Sequence, residues 1–142
     1  MTATGLELGS GLEDVDRGLV FCFGLLHDTR RENESYDPGH GSRAADFAAE
    51  LRDGGHLALD DARFGDLVHA LTLHSDGHVS TDPTVGACWD ADRLHLPRVS
   101  IEPDPALLST HAALGPAPLS AAADLRERGA PSWEGLIAVA VR

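Results

Sequence analysis

The sequence contains no lysine. Its 11 basic residues are all arginine, set against 23 acids and 8 histidines, for a formal charge of −12. So acidic a chain offers no attractive field to a phosphate backbone, which argues against nucleic acid as a partner and favours cations. The missing lysine, beside abundant Ala, Gly and Asp, points to a GC-rich coding sequence, which concerns the genome rather than the activity. Aromatics make up only 5%, too few for a typical β-sandwich and suited to closely packed helices. The two cysteines, Cys22 and Cys88, each lie in an apolar run and form neither a CxxC nor a zinc-finger spacing. They read as buried thiols in a reducing cytoplasm. The most apolar run, "GLVFCFGLL" at 18–26, falls far short of the roughly 20 residues that cross a bilayer. The first residues are polar with no basic segment, so no signal peptide is expected.

What is present suits one domain spanning 1–142: 142 residues, 42% of them hydrophobic. A short helix, a turn near Gly9 and Gly11, and a longer helix beginning over "LEDVD" (12–16) open the chain. That second helix is apolar almost all round through Val20, Phe21, Phe23, Leu25 and Leu26, so it is expected to be central and buried. A loop, "ENESYDPGHG" (32–41), follows, with its turn at Asp37, Pro38 and Gly39. The stripe Ala44, Ala45, Phe47, Ala48 and Leu51 predicts a helix stopped by Gly54 and Gly55. Another helix is capped by Asp60 or Asp61 and presents Leu67, Val68 and Leu71 on one face, with His74 near its end. Pro83 sets the first turn of a further helix through Trp89 to Leu94, which Pro97 ends. From about 101, five prolines break the chain into short pieces expected to wrap the core, with "SWEGLIAVAVR" as a final short helix or strand. There is no internal repeat. The whole reads as an all-α domain of five to six helices.

Polar groups end or interrupt these apolar segments: His27 and Asp28, His40, His74, and Asp90 and Asp92 in "WDADRLHL". An adjacent His-Asp pair at a helix end offers an imidazole nitrogen and a carboxylate oxygen to one cation, and a distant Asp completes a mixed N/O site. With no thiolate, the set suits Mn, Fe, Co, Ni, Zn or Mg. Arg30 and Arg31 lie just beyond, placed to neutralise a phosphate. His56, His69, His78, His95 and His111 read as solvated or packing histidines, and Trp89 as core.

A lone His-Asp pair is commonly a cap or surface feature. The ordered string "LLHD", "HG", a His before a turn, and "DADRLHL" is what resembles the HD-domain superfamily of metal-dependent phosphohydrolases. "ADRLH" is similar to the last motif of its bacterial (p)ppGpp hydrolase branch. More narrowly, "LLHDTRRENESYDPGHGSRAA" with "DPTVGACWDADRLHLPRVSIEPDPALLST" resembles small bacterial HD-domain proteins, over roughly 6–110. The resemblance implies an HD-type helical bundle in which His27, Asp28 and Asp92 hold the metal, with Asp90 as a nearby alternative to Asp92. It places His40 and His74 where related enzymes hold a second metal or contact phosphate. It sets Glu32, followed by Asn33, where the (p)ppGpp hydrolases carry a Glu-Asp pair that assists catalysis. The implied substrate is a small phosphorylated molecule or nucleotide, with Arg30, Arg31 and His74 offsetting negative charge.

One departure is large. The family pattern begins with a histidine upstream of the doublet, and no histidine precedes His27. Either the reading frame is expected to extend upstream to supply it, or the site is a three-ligand or defunct variant. In the second case the chain is a non-catalytic helical HD scaffold for protein association, with homodimerisation covering the apolar surface that a missing helix would leave.

Overall fold

The computed structural model describes residues 1–33, 36–128 and 132–140. Within them the chain is all-helical: α1 Thr2–Ser10, α2 Arg17–Leu26, α3 His40–Asp53, α4 Asp61–Leu73, α5 Pro83–Arg93, α6 Pro116–Arg128 and α7 Trp133–Ala140. Three 3-10 turns, at Leu96–Val99, Pro105–Leu107 and His111–Ala113, connect α5 to α6. The described residues thus hold seven α-helices where five to six were expected. None is long and apolar enough to cross a membrane.

Helix α2 is the hub and packs on α1, α4, α5 and α7. Its buried residues Leu19, Val20, Phe23 and Leu26 meet Leu67 and Leu71 of α4 and Val85 and Trp89 of α5 in one core. It starts at Arg17, not over 12–16. Asp14 has a positive φ of 57°, and Asp16 is the cap, its carboxylate accepting the Leu19 amide at 3.0 Å. The same carboxylate receives Arg63 of α4 through Nε at 2.5 Å and Nη2 at 2.8 Å. One acid therefore both starts α2 and fastens it to α4. Cys22 is half-buried and Cys88 buried, both free thiols.

Local chemistry sets the other ends. Asp60, rather than Asp61, caps α4 by accepting the Arg63 amide. Asp82 caps α5 by accepting the Thr84 and Val85 amides, with Pro83 in the first turn. Helix α3 ends where Gly55 takes φ +74° and the His56 amide reaches back to the Leu51 carbonyl, a glycine-terminated end. Helix α5 stops at Arg93, before Pro97, which lies within the following 3-10 turn.

The proline-rich segment, expected as short pieces, contains the 13-residue α6. Pro116 and Pro118 occupy its first turn, where an amide donor is not needed. Residues 141–142 of the expected final stretch lie outside the described residues, as do residues 129–131 and Glu34 and Ser35 of the expected loop.

The wrap is fastened by Asp90. This fully buried residue of α5 accepts the Ser109 amide at 2.7 Å, the Thr110 amide at 2.8 Å and the Thr110 hydroxyl at 2.8 Å. Burial pushes its carboxyl above the ordinary value, partly offset by those bonds and by Arg93. Asp90→Ala strands one buried and one half-buried amide and is expected to cost about 2–4 kcal/mol, at roughly 1–3 kcal/mol for a buried donor left unpaired. Urea melts measure the loss, and faster proteolysis within 101–113 shows that it falls on the wrap.

A pH signature belongs to Asp16. The Arg63 hydrogen bond outweighs the opposing effect of burial and holds this carboxyl below its ordinary value. Its contribution is present above the unfolded value of about 3.9 and disappears as pH falls through the lower folded value. Arg63→Ala is therefore expected to cost about 1 kcal/mol near pH 6 and progressively less toward pH 2–3, measured by urea melts across that range.

Candidate metal centre

Helix α2 ends by pointing two ligand residues at the same space. His27 caps its last turn, with its amide bonded to the Phe23 carbonyl, and Asp28 follows. The His27 ring stacks on buried Phe23, centroids 5.3 Å apart. From α3 comes His40 and from the end of α4 comes His74, both almost wholly buried. Asp92 enters from α5. His27 Nε2 lies 3.5 Å from Asp28 Oδ2 and 3.7 Å from Asp92 Oδ1. On the other side of the same carboxylate, Asp28 Oδ1 lies 3.5 Å from His40 Nε2 and 3.9 Å from His74 Nε2.

The two histidines on that side are oriented from behind. His74 donates Nδ1–H to the Leu71 carbonyl at 2.7 Å, and His40 donates Nδ1–H to the Asp37 carbonyl. A carbonyl only accepts, so each Nε2 of a neutral ring bears a lone pair aimed into the cluster. The two Nε2 atoms stand 2.8 Å apart. Two lone pairs do not face each other at that distance without a cation, whether a shared proton or a metal ion.

A divalent ion fits this donor set. Ligand atoms bonded at about 2.1 Å to one ion lie roughly 3–4 Å apart, the range of the carboxylate-to-imidazole distances above, and the 2.8 Å between the two Nε2 atoms falls just below it. Asp28, His40 and His74 offer ligand atoms that all lie within 4.8 Å of one another. Back-bonding of Nδ1 to a carbonyl is also how metal-binding imidazoles are commonly held. His27 adds an unsatisfied requirement: its Nδ1 is buried with no hydrogen-bond partner, and its Nε2 is too far from either carboxylate for a hydrogen bond.

The electrostatics agree. Burial lowers the His27 and His74 values, against the pull of the nearby acids, so both rings favour the neutral form that binds metal. Burial also presses on Asp28, but His27, Arg31, His74 and His40 outweigh it and hold the carboxyl below its ordinary value, favouring the anion.

Not every residue singled out in the sequence arrives here. Arg31 does, with Nη1 3.1 Å from Asp28 Oδ1. Arg30 does not: its guanidinium lies 4.0 Å from the Phe47 ring centroid and 3.9 Å from Glu50 Oε2, against α3. Glu32 does not either. Its carboxylate is mostly exposed and 3.5 Å from Arg43 Nε. Asp90 is turned away, its oxygens engaged by Ser109 and Thr110, which leaves Asp92 as the α5 carboxylate facing His27. His56, His69, His78 and His111 are exposed, while buried His95 bonds the Thr4 hydroxyl at 2.7 Å. Trp89 is core and donates Nε1–H to the Ala70 carbonyl at 3.0 Å.

Two contributions escaped the sequence reading. Arg98, in the 3-10 turn after α5, places Nη2 3.6 Å from Asp28 Oδ2. Asp37 and Arg43 form the staple that shapes the loop behind His40. Arg43 Nη2 bonds both Asp37 oxygens, at 2.7 and 2.6 Å, and the Glu32 amide donates to Oδ2 at 2.8 Å. The Arg43 bond, with the Glu32 amide second, brings the Asp37 carboxyl down to about 2. The available signal was an acid in an Asp-Pro-Gly turn with an arginine in the first turn of the next helix.

Gly41 permits the His40–His74 approach. A Cβ there would lie 2.5 Å from the Leu71 carbonyl oxygen and 2.8 Å from that of Thr72, backbone atoms that cannot swing aside.

No protein-family model matches the chain, and no match was found among curated proteins or solved structures.

Gly41→Ala is expected to force α3 away from α4 and cost about 1–3 kcal/mol. Thermal melts measure the cost. Histidine side-chain NMR should show the largest shifts at His40 and His74, and unshifted resonances there would contradict the close-approach argument.

Proposed function

We propose that the chain is a metal-dependent phosphohydrolase acting on a small phosphorylated molecule or nucleotide. The observation carrying this reading is the convergence of three buried imidazole Nε2 atoms on the two oxygens of Asp28, with Asp92 closing one side. Each Asp28 oxygen faces a different set: Oδ2 faces His27, which is also near Asp92, and Oδ1 faces His40 and His74. These residues would hold one divalent ion, or two sharing Asp28. A divalent ion in such a site lowers the pKa of water toward 7 and polarises a phosphoryl oxygen.

The protein's own part is orientation and charge. The Asp37 and Leu71 carbonyls fix the tautomers of His40 and His74. Phe23 forms an apolar floor under His27 and lies edge-on to His74, holding both rings in place. Arg31 sits at Asp28 and offsets phosphate charge. Glu32 and Arg30 have no place in this reading, since both are engaged on the outside of α3. With no lysine and a charge of −12, nucleic acid is not the expected substrate.

A helical association module is the second reading. Its support is the exposed pair Trp133 and Ile137, one turn apart on α7, which suits a protein contact such as a homodimer.

Purified protein incubated with Mn, Fe, Co, Ni, Zn or Mg and then desalted is expected to retain metal and to hydrolyse p-nitrophenyl phosphate. Asp28→Ala should abolish both, and Asp92→Ala should weaken metal retention by at least roughly 10–100-fold, the cost known for lesser, outer-sphere changes. Absence of retained metal, together with phosphatase activity indifferent to Asp28→Ala, would sink the hydrolase. A stable dimer dissociated by Trp133→Glu would then favour the module.

A further inference from the structure

Two arginines approach Asp28 from different loops. Arg31 lies in the turn after α2, its Nη1 3.1 Å from Asp28 Oδ1 and its Nε donating to the Asn33 carbonyl at 3.1 Å. Arg98 lies beyond α5, its Nη2 3.6 Å from Asp28 Oδ2 and its side chain 50% exposed. These are the arginines, among the described residues, that pair with a carboxylate of the cluster. They stand on opposite oxygens of one acid, in a protein whose overall charge is strongly negative.

Their chemistry is not exhausted by Asp28. A guanidinium carries five N–H donors in a planar fork suited to phosphate, and the 3.6 Å approach of Arg98 is too long for a hydrogen bond. The half-exposed Arg98 gains little from an ion pair at that distance, so holding Asp28 in place is a poor use of it. An Asp28 carboxylate shared with a cation attracts both arginines less still, which leaves two guanidinia beside the cluster with donors to spare.

We propose that Arg98 and Arg31 form a two-arginine clamp for a dianionic terminal phosphoryl group, with Arg98 as a specificity-determining residue. Two positive forks match the two charges and three free oxygens of a terminal phosphate. A phosphodiester, with one charge and two free oxygens, leaves one fork unmatched. The substrate class deepens, and rests on, the phosphohydrolase reading; the clamp itself is testable without turnover.

The probe is inorganic phosphate, titrated calorimetrically into the full chain after incubation with manganese, with dimethyl phosphate as the diester comparison. The expected result is phosphate binding, with dimethyl phosphate weaker by about tenfold or more. Arg98→Ala and Arg31→Ala should each weaken phosphate by about 10–100-fold, the worth of a charge-assisted hydrogen bond. Arg98→Lys should restore only part of the loss, since a point charge lacks the fork. Arg30→Ala should match wild type. Thermal melts and metal analysis on each variant confirm that fold and metal are retained, as the exposure of Arg98 leads one to expect. If the arginines serve only as counter-charges to Asp28, Arg98→Ala tightens manganese and leaves phosphate affinity within about twofold; that result, or a wild-type protein that does not bind phosphate, overturns the clamp. Arginine-dependent phosphate binding in a protein with no phosphatase activity upholds the clamp while the hydrolase reading falls.

Discussion

Everything distinctive about this molecule turns on the Asp28 carboxylate. It stands at the end of the most apolar helix, with three buried imidazoles and two guanidinia around its two oxygens. In water such a gathering would be loose. Here burial favours the neutral form of His27 and His74, while the charged neighbours of Asp28, Arg31 among them, hold its carboxyl below the ordinary value despite its partial burial. Deprotonated imidazole nitrogens beside an anionic oxygen are what a divalent cation requires.

The fold supplies that condition through rigid supports. The site has a wall from each of four helices, so its geometry depends on how closely they approach. Gly41 lets α3 lie directly on the carbonyls that end α4. Asp16 ties α2 to α4 through Arg63. The Asp37–Arg43 staple sets the loop whose carbonyl orients His40. Asp90 plays the corresponding part on the far side, binding the proline-rich wrap to α5. The bundle's polar buried groups thus divide into those that fasten the scaffold and those that face the cluster.

Adjacent residues fall on different sides of that division. Asp90 and Asp92 are two apart on one helix, about 200° around its axis, and one is wholly spent on Ser109 and Thr110 while the other faces His27. Arg30 and Arg31 are neighbours, yet one stacks on Phe47 and the other meets Asp28. Composition and spacing name such pairs without choosing between their members.

The sequence by itself determined the helical class, a cap at Asp60 or Asp61, the Asp82–Pro83 turn that opens α5, the stop at Gly54 and Gly55, and the apolar core face of α2, because these depend on neighbours within a few residues and on the periodicity of apolar side chains. It also marked His27, Asp28, His40, His74 and Asp92 as the polar residues set against apolar helices. Its local signals misplaced the start of α2, because Asp14 turns the chain through a left-handed conformation that the acid-rich run does not announce. They also missed where α6 begins, since its prolines sit in the one turn that tolerates them. Which side chains share a space was decided only by the tertiary structure. Arg98 reaches Asp28 across 70 positions of sequence because a 3-10 turn carries it back over the end of α2, and two imidazole nitrogens come within 2.8 Å because α3 and α4 touch at Gly41. Such meetings depend on helix packing distances and on rotation about each helix axis, quantities that local propensity does not encode.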